Sequence, residues 1–169
     1  ASMSASAGAP TAACRACWTD TRVFGDDDPL CHKCGVLLDG VAVEAVSACK
    51  TCDDHHYDRA ASAGVYEKAL AASVLELKQS PKVSRTVHRL LTQAFDRMNL
   101  PGELTIIPVP LSKQRLVERG FNQASALARV IAGHSRQPLD EHSLIRRRDT
   151  PMHRAAMDRK ARENSVKNA

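Results

Sequence analysis

Six cysteines, all in C-x-x-C pairs, are the residues of this chain best suited to chemistry: Cys14/Cys17, Cys31/Cys34 and Cys49/Cys52. Two residues between cysteines let both sulfurs of one tight turn face a single ion, and two such knuckles complete a tetrahedral thiolate shell. Fourteen residues separate Cys34 from Cys49, which suits a hairpin between knuckles as in a zinc ribbon. The expected chemistry is therefore structural zinc binding by Cys31, Cys34, Cys49 and Cys52. A shell of this kind is closed to water and substrate, so it stabilises a fold and does not catalyse. Cys14/Cys17 with Cys31/Cys34, thirteen residues apart, is a competing pairing, and spacing alone does not choose. Gly35, directly after Cys34, favours the tight turn of a knuckle. Three pairs make one complete site and one half-site, for which His55 or His56 is a candidate third ligand. His32, inside a knuckle, reads as solvent-facing. Disulfides or free buried thiols are the competing explanations. A thioredoxin-like role requires a C-x-x-C that opens a helix after a strand, and no pair is expected to have that setting.

The elements that must position these residues follow from composition and periodicity. Residues 1–13 are small and polar and read as a disordered lead. Residues 14–58, with paired cysteines, many Asp and few large apolar side chains, form a segment that needs a staple to fold. Residues 59–169 form a second region. Tyr66, Leu70, Val74 and Leu77, flanked by Ala69 and Ser73, fall at helical spacing. Ser80 and Pro81 are placed to cap and open a second helix with the stripe Val83, Val87, Leu90, Leu91, Ala94, Phe95 and Met98. Residues 103–109 read as a buried strand whose end, between Pro108 and Pro110, lies in a loop. A helix over 122–132, with Ala124, Leu127, Ala128 and Ile131 inward and Gly133 as its stop, comes next. A strand over 143–146, a mobile basic loop over 147–154 and a basic helix over 155–164 complete the expectation. Helices alternating with short buried strands indicate an α/β domain.

Charge is unevenly spread. Residues 1–58 carry four Lys/Arg against nine Asp/Glu, whereas residues 111–169 carry thirteen against six. A basic half suggests an anionic partner such as phosphate, nucleotide or nucleic acid. A solvated helical surface accounts for the same charges. Aromatics make up only 4% of the chain, so a core must come from Ala, Val, Leu and Ile. No apolar run is long enough to span a bilayer, and the lead lacks the charged start and apolar centre of a secretion signal. A cytoplasmic location without membrane contact is the expectation, and in a reducing compartment the cysteines serve metal sooner than disulfides.

Three stretches carry a family likeness. Behind the cysteine pairs stand Tyr57-Asp58, Gly64-Val65-Tyr66-Glu67 and Leu75-Glu76-Leu77-Lys78. Ile107-Pro108-Val109-Pro110-Leu111 is followed by Arg115-Leu116-Val117-Glu118-Arg119-Gly120-Phe121-Asn122-Gln123. Leu144-Ile145-Arg146-Arg147, Thr150-Pro151 and the run from Arg162 to Ala169 complete the set. In this order they resemble the ComF family, a double zinc ribbon followed by a type I phosphoribosyltransferase domain with a Rossmann-like fold. The resemblance implies transfer of a phosphoribosyl group from phosphoribosyl pyrophosphate (PRPP) to a nitrogenous acceptor, with Mg²⁺ expected for the complete domain. It implies pyrophosphate contacts from Pro108, Val109, Pro110, Leu111 and Ser112, with Arg115 and Arg119 adding charge-assisted bonds. Asn122 and Gln123, near a helix start, either orient the ligand or cap the helix. The basic loop with Arg147, Arg148 and Arg154 matches the family's flexible loop. Single-stranded DNA or competence proteins are partners that the family's role in DNA uptake implies.

The departures matter as much. The family's later strand ending in two acidic residues, followed by a Thr- and Gly-rich loop for the ribose phosphate of PRPP, has no counterpart here. Asp26-Asp27-Asp28 and Asp53-Asp54 neither follow an apolar strand nor precede such a loop. The first knuckle of the double ribbon is also missing, so the likeness pairs Cys31/Cys34 with Cys49/Cys52 and leaves Cys14/Cys17 without a partner. The chain thus reads as a fragment cut at both ends, with an incomplete transferase domain and no activity of its own. The alternative is a zinc-ribbon module that binds nucleic acid. In an isolated fragment, apolar faces such as Leu90, Phe95 and Ile131 are expected to lie exposed.

Overall fold

Side-chain caps decide where most of the helices begin. Ser84 accepts from the Val87 N–H, Ser112 from the Arg115 N–H and Asn122 from the Ala124 N–H, each satisfying a donor that the first helical turn leaves free. The computed structural model describes residues 13–38, 40, 49, 52, 55–147, 149, 161 and 164. Its helices are α1 (Arg15–Thr19), α2 (Lys68–Glu76), α3 (Arg85–Arg97), α4 (Lys113–Arg119) and α5 (Gln123–Ser135). β structure among the described residues is limited to three isolated bridges: Val23 with Gly64 and Leu30 with Leu37, both antiparallel, and Ile106 with Leu139, parallel. The chain divides into two compact units, Ala1–Gly102 and Glu103–Ala169.

The division falls well beyond residue 58, where the composition changes, because residues 59–102 complete the fold of the cysteine segment. The Phe24 N–H donates to the Ala63 carbonyl at 3.0 Å and the Val65 N–H to the Arg22 carbonyl at 2.9 Å. Thr21, buried, donates its hydroxyl to the Cys17 carbonyl at 2.7 Å and accepts from the Ala69 N–H at 3.1 Å, joining α1 to the start of α2. Lys68 reaches the Asp20 carbonyl at 2.9 Å. From α3, the Arg97 guanidinium donates to the Phe24 and Ser62 carbonyls at 3.2 and 3.0 Å. Arg59 in turn donates to the Met98 and Asn99 carbonyls, which the end of α3 leaves unpaired.

Helix faces partly follow the expected stripes. On α3, Leu90 and Ala94 are buried and Val87, Leu91 and Phe95 half-buried. Leu90 is therefore covered, and Phe95 and Ile131 are half-buried, contrary to the exposure expected of an isolated fragment. On α2 the buried side is Ala69, Ser73 and, just past its end, Leu77, whereas Tyr66 is 63% exposed. Small residues face inward there because α2 lies close to α1 and the 22–24 segment. Gly64 makes the same point: a Cβ at that position would stand 2.4 Å from the Arg22 carbonyl oxygen.

Several boundaries differ from expectation. α3 starts after Ser84, not Ser80, whose hydroxyl accepts from the Lys82 N–H at 3.3 Å in a turn instead. α5 runs through Gly133 to Ser135, since one glycine weakens a helix without ending it. It stops at Arg136, whose φ of 58° is left-handed, one residue before the Gln137-Pro138 step that disfavours helix. α4, not anticipated, lies between the Ser112 cap and Gly120, which ends it at φ 76°. The expected strand over 103–109 contributes only the Ile106 bridge, and residues 143–146 form no strand; the pairing partner is Leu139. The 1–13 lead, the 147–154 loop and the 155–164 helix lie outside the described residues except at Ala13, Arg147, Asp149, Ala161 and Asn164.

Replacing Thr21 by Val keeps the shape and deletes the hydroxyl, stranding the Ala69 N–H and the Cys17 carbonyl. A loss of about 1–3 kcal/mol is expected for this buried pair of bonds. Urea unfolding of the Thr21→Val and Thr21→Ser chains checks it, the serine variant retaining most of the stability.

Candidate metal centre

The first knuckle is held by its own backbone. The Cys31 N–H donates to the Val36 carbonyl at 2.9 Å and the Gly35 N–H to the Cys31 carbonyl at 2.8 Å. The bridge between Leu30 and Leu37 and the bond from the Leu38 N–H to the Pro29 carbonyl, 2.8 Å, extend it into a short hairpin. Gly35 has φ 68°, and a Cβ there would meet the Ala60 carbonyl oxygen at 2.9 Å and the Ser62 nitrogen at 3.0 Å. Two requirements, a left-handed backbone and close approach of the 60–62 segment, thus meet at one glycine. The Ala60 N–H bonds to the Lys33 carbonyl at 2.7 Å and fastens that segment to the knuckle. In the second knuckle the Cys52 N–H reaches the Cys49 carbonyl at 3.3 Å.

These turns bring the sulfurs of Cys31, Cys34, Cys49 and Cys52 within 4.8 Å of one another. Cys31 and Cys52 stand 3.7 Å apart, Cys34 and Cys49 3.6 Å, and Cys49 and Cys52 3.5 Å. A disulfide needs about 2.05 Å. Metal–sulfur bonds of about 2.3 Å in a tetrahedron place neighbouring sulfurs about 3.8 Å apart. The spacing fits four thiolates around one ion. Cys31 and Cys52 are buried and Cys34 and Cys49 half-buried, so a bound ion would be shielded from solvent.

Electrostatics agree with that use. Burial opposes ionisation of Cys31, but N–H groups of Cys34, Cys49 and Lys33 around its sulfur outweigh it and bring the thiol down to about 6. The Cys49 N–H alone lies 3.2 Å from that sulfur. Cys52 is pushed up to about 12, first by burial and then by the thiols beside it. Four negative sulfurs in this space repel one another, and a cation at their centre is what permits their joint ionisation.

The neighbouring polar residues are not ligands in this arrangement. His32 is exposed, as its position inside the knuckle suggests. The ring of His55 pairs with the Tyr57 hydroxyl at 2.9 Å. Among the described residues, neither His55 nor His56 joins a metal-ligand group with Cys14 and Cys17. Cys14 instead is the N-cap of α1, with the Cys17 N–H directed at its sulfur. A C-x-x-C pair therefore does open a helix here, one of five residues that leaves little periodicity in the sequence; the position of a strand ahead of it, which the redox setting also requires, lies outside the described residues. The Cys17 N–H lowers the Cys14 thiol, and the Cys14 sulfur raises that of Cys17.

The residues expected to contact pyrophosphate lie in the second unit. The Ile106 N–H bonds to the Pro138 carbonyl at 2.8 Å and the Asp140 N–H to the Ile106 carbonyl at 3.0 Å. The loop from Pro108 to Ser112 leads from this pairing into α4. Pro108 and Ser112 are buried, Pro110 and Leu111 half-buried, and Val109 is exposed. Asn122 donates its amide to the Val109 carbonyl at 3.0 Å while capping α5, so it ties this loop to the helix start. Arg115 and Arg119 are half-buried on α4, and Arg119 donates to the Gln123 side chain at 2.8 Å. Arg147 is exposed; Arg148 and Arg154 lie outside the described residues. The tether through Asn122 was open to sequence reading only as a cap, because its second partner is thirteen residues away.

Comparison with known proteins gives no match to any family model, curated protein or solved structure.

Gly35→Ala is expected to destabilise the knuckle by about 1–3 kcal/mol, through both φ strain and contact with residues 60–62. Competition with a chromophoric chelator should show weaker metal binding. Gly120→Ala, with φ 76° but open space around it, carries the strain alone and should leave metal affinity unchanged.

Proposed function

We propose that Cys31, Cys34, Cys49 and Cys52 bind one structural zinc ion, and that the chain combines this zinc-stabilised module with the pyrophosphate-binding part of a ComF-like phosphoribosyltransferase. The sulfur spacing of 3.5–3.7 Å carries the metal assignment. An all-thiolate donor set is soft and selects zinc over Mg²⁺ or Ca²⁺, which seek oxygen. Four protein ligands leave no coordination position open, so the ion holds the fold.

The transferase half rests on the P-V-P-L and R-G-F-N-Q run. Its support is the loop at 108–112, which follows a parallel pairing, enters α4 and is tethered to α5 through Asn122. Arg115 and Arg119, four residues apart on α4, share a helix face and would offer charge-assisted bonds to pyrophosphate oxygens. PRPP, a nitrogenous acceptor and Mg²⁺ belong to the complete family domain. The acidic pair and Thr/Gly loop of that domain are absent from this sequence. The chain is accordingly expected to bind pyrophosphate and not to turn over PRPP. No described helix is long and apolar enough to cross a membrane, and free thiols suit a reducing, cytoplasmic setting.

Elemental analysis should find one zinc per chain, with Cys31→Ser or Cys52→Ser abolishing stoichiometric binding. Chelation should unfold the first unit, and acidification should release the ion, because bound sulfurs must be deprotonated and protons compete for them as pH falls.

Calorimetric titration should detect pyrophosphate binding that Arg115→Ala or Arg119→Ala weakens by roughly tenfold. PRPP turnover by the chain would contradict the expected inactivity while upholding the transferase reading. Absence of pyrophosphate binding, together with a salt-dependent shift of single-stranded DNA, would replace it with a nucleic-acid-binding module.

A further inference from the structure

Residues 59–62 cross the first knuckle as a strap that α3 holds at both ends. Arg59 donates to the Met98 and Asn99 carbonyls at the end of that helix. Arg97 donates to the Ser62 carbonyl at 3.0 Å, and its other terminal nitrogen reaches the Phe24 carbonyl at 3.2 Å. Between these anchors the strap lies directly against Gly35, where a Cβ would meet the Ala60 carbonyl oxygen and the Ser62 nitrogen. The Ala60 N–H donates to the Lys33 carbonyl at 2.7 Å. That carbonyl shares one peptide unit with the Cys34 N–H, which is directed at the Cys31 sulfur. A planar peptide turns as one body, so a bond that fixes its carbonyl also fixes where its N–H points. The same bond polarises the peptide and strengthens its N–H as a donor.

We propose that Arg97 is a positioning residue for the metal centre. Through the 59–62 strap it holds the Lys33-Cys34 peptide against the Cys31 sulfur, and so sets how long the ion is retained. The inference rests on the metal assignment made above. The guanidinium touches no cysteine; it acts through the Ser62 carbonyl, the strap and the Ala60 N–H in turn. Outer bonds of this kind orient the ligands that touch the ion, and the loss of one typically lowers metal affinity by about 10–100-fold.

The test uses the full chain loaded with Co²⁺, whose thiolate-to-metal absorption reports the electron density on the sulfurs, together with the rate of Co²⁺ release to a chelator. Arg97→Met keeps most of the stem and removes the donors, and Ala60→Pro removes the strap's own N–H. Thr21→Val, which weakens the same unit without touching the strap, is the control for stability. Arg97→Met and Ala60→Pro should move the absorption to longer wavelength and speed release roughly tenfold. Arg97→Lys, which keeps a donor for one carbonyl, should restore part of both. Thr21→Val should leave the absorption in place. An unchanged spectrum and release rate in Arg97→Met would overturn the proposal, and so would an equal change of both in Thr21→Val. If Ala60→Pro does not fold, Arg97→Met and Arg97→Lys decide. Failure of the unsubstituted chain to bind Co²⁺ or zinc would refute the metal assignment itself, and with it the role of the strap.

Discussion

Four sulfurs within 4.8 Å of one another are the constraint on which the first unit depends. They bring together residues as far apart in sequence as Cys31 and Cys52, in a segment that has few large apolar side chains to draw it together. Closing such loops by apolar burial alone would have to offset the chain entropy lost. An ion shared by the four sulfurs would do so through a few strong bonds, and would make folding conditional on metal. Gly35 is the local requirement of that arrangement, since only a residue without a Cβ permits the 60–62 segment to lie against the knuckle.

Around this centre the unit is joined by polar bonds to backbone more than by a large apolar core. Phe24, Leu77 and Leu90 are its largest buried apolar side chains among the described residues. Thr21 joins α1 to α2, Arg97 joins α3 to the 24 and 62 carbonyls, and Arg59 closes the end of α3. The Thr21 and Arg97 bonds satisfy backbone groups that burial would otherwise strand. With aromatics at 4% of the chain, this is the means by which a thin core is kept in register.

The second unit is organised differently. Its described core is sparse, with Ala128 buried and Val109, Val117 and Ile145 exposed. Order there comes from termini and turns: Ser112 and Gly120 bound α4, Asn122 opens α5, and Ile106 meets Leu139 in parallel across the two helices. A parallel pair requires a long crossover, which α4 and α5 supply.

The sequence by itself marked the three C-x-x-C pairs as metal-ligand candidates, the solvent-facing His32 and the apolar face of α3. Those features depend on residue type at short, fixed spacing, which a linear reading contains. Tertiary structure decided which cysteine pairs meet, because spacing allowed two pairings with nearly equal gaps. It also decided that Ser84 and not Ser80 caps α3, that Ala69 and Ser73 face inward on α2, and that residues 59–102 belong with the cysteine segment. Apart from the Ser84 cap, a local bond with Val87, these turn on partners far away in the chain: Cys52 for Cys31, Thr21 for Ala69, Phe24 and Ser62 for Arg97. Long-range contacts leave no periodic trace in the residues that make them, and Cys14 shows the same limit at short range, since one turn of helix is too brief to leave a pattern.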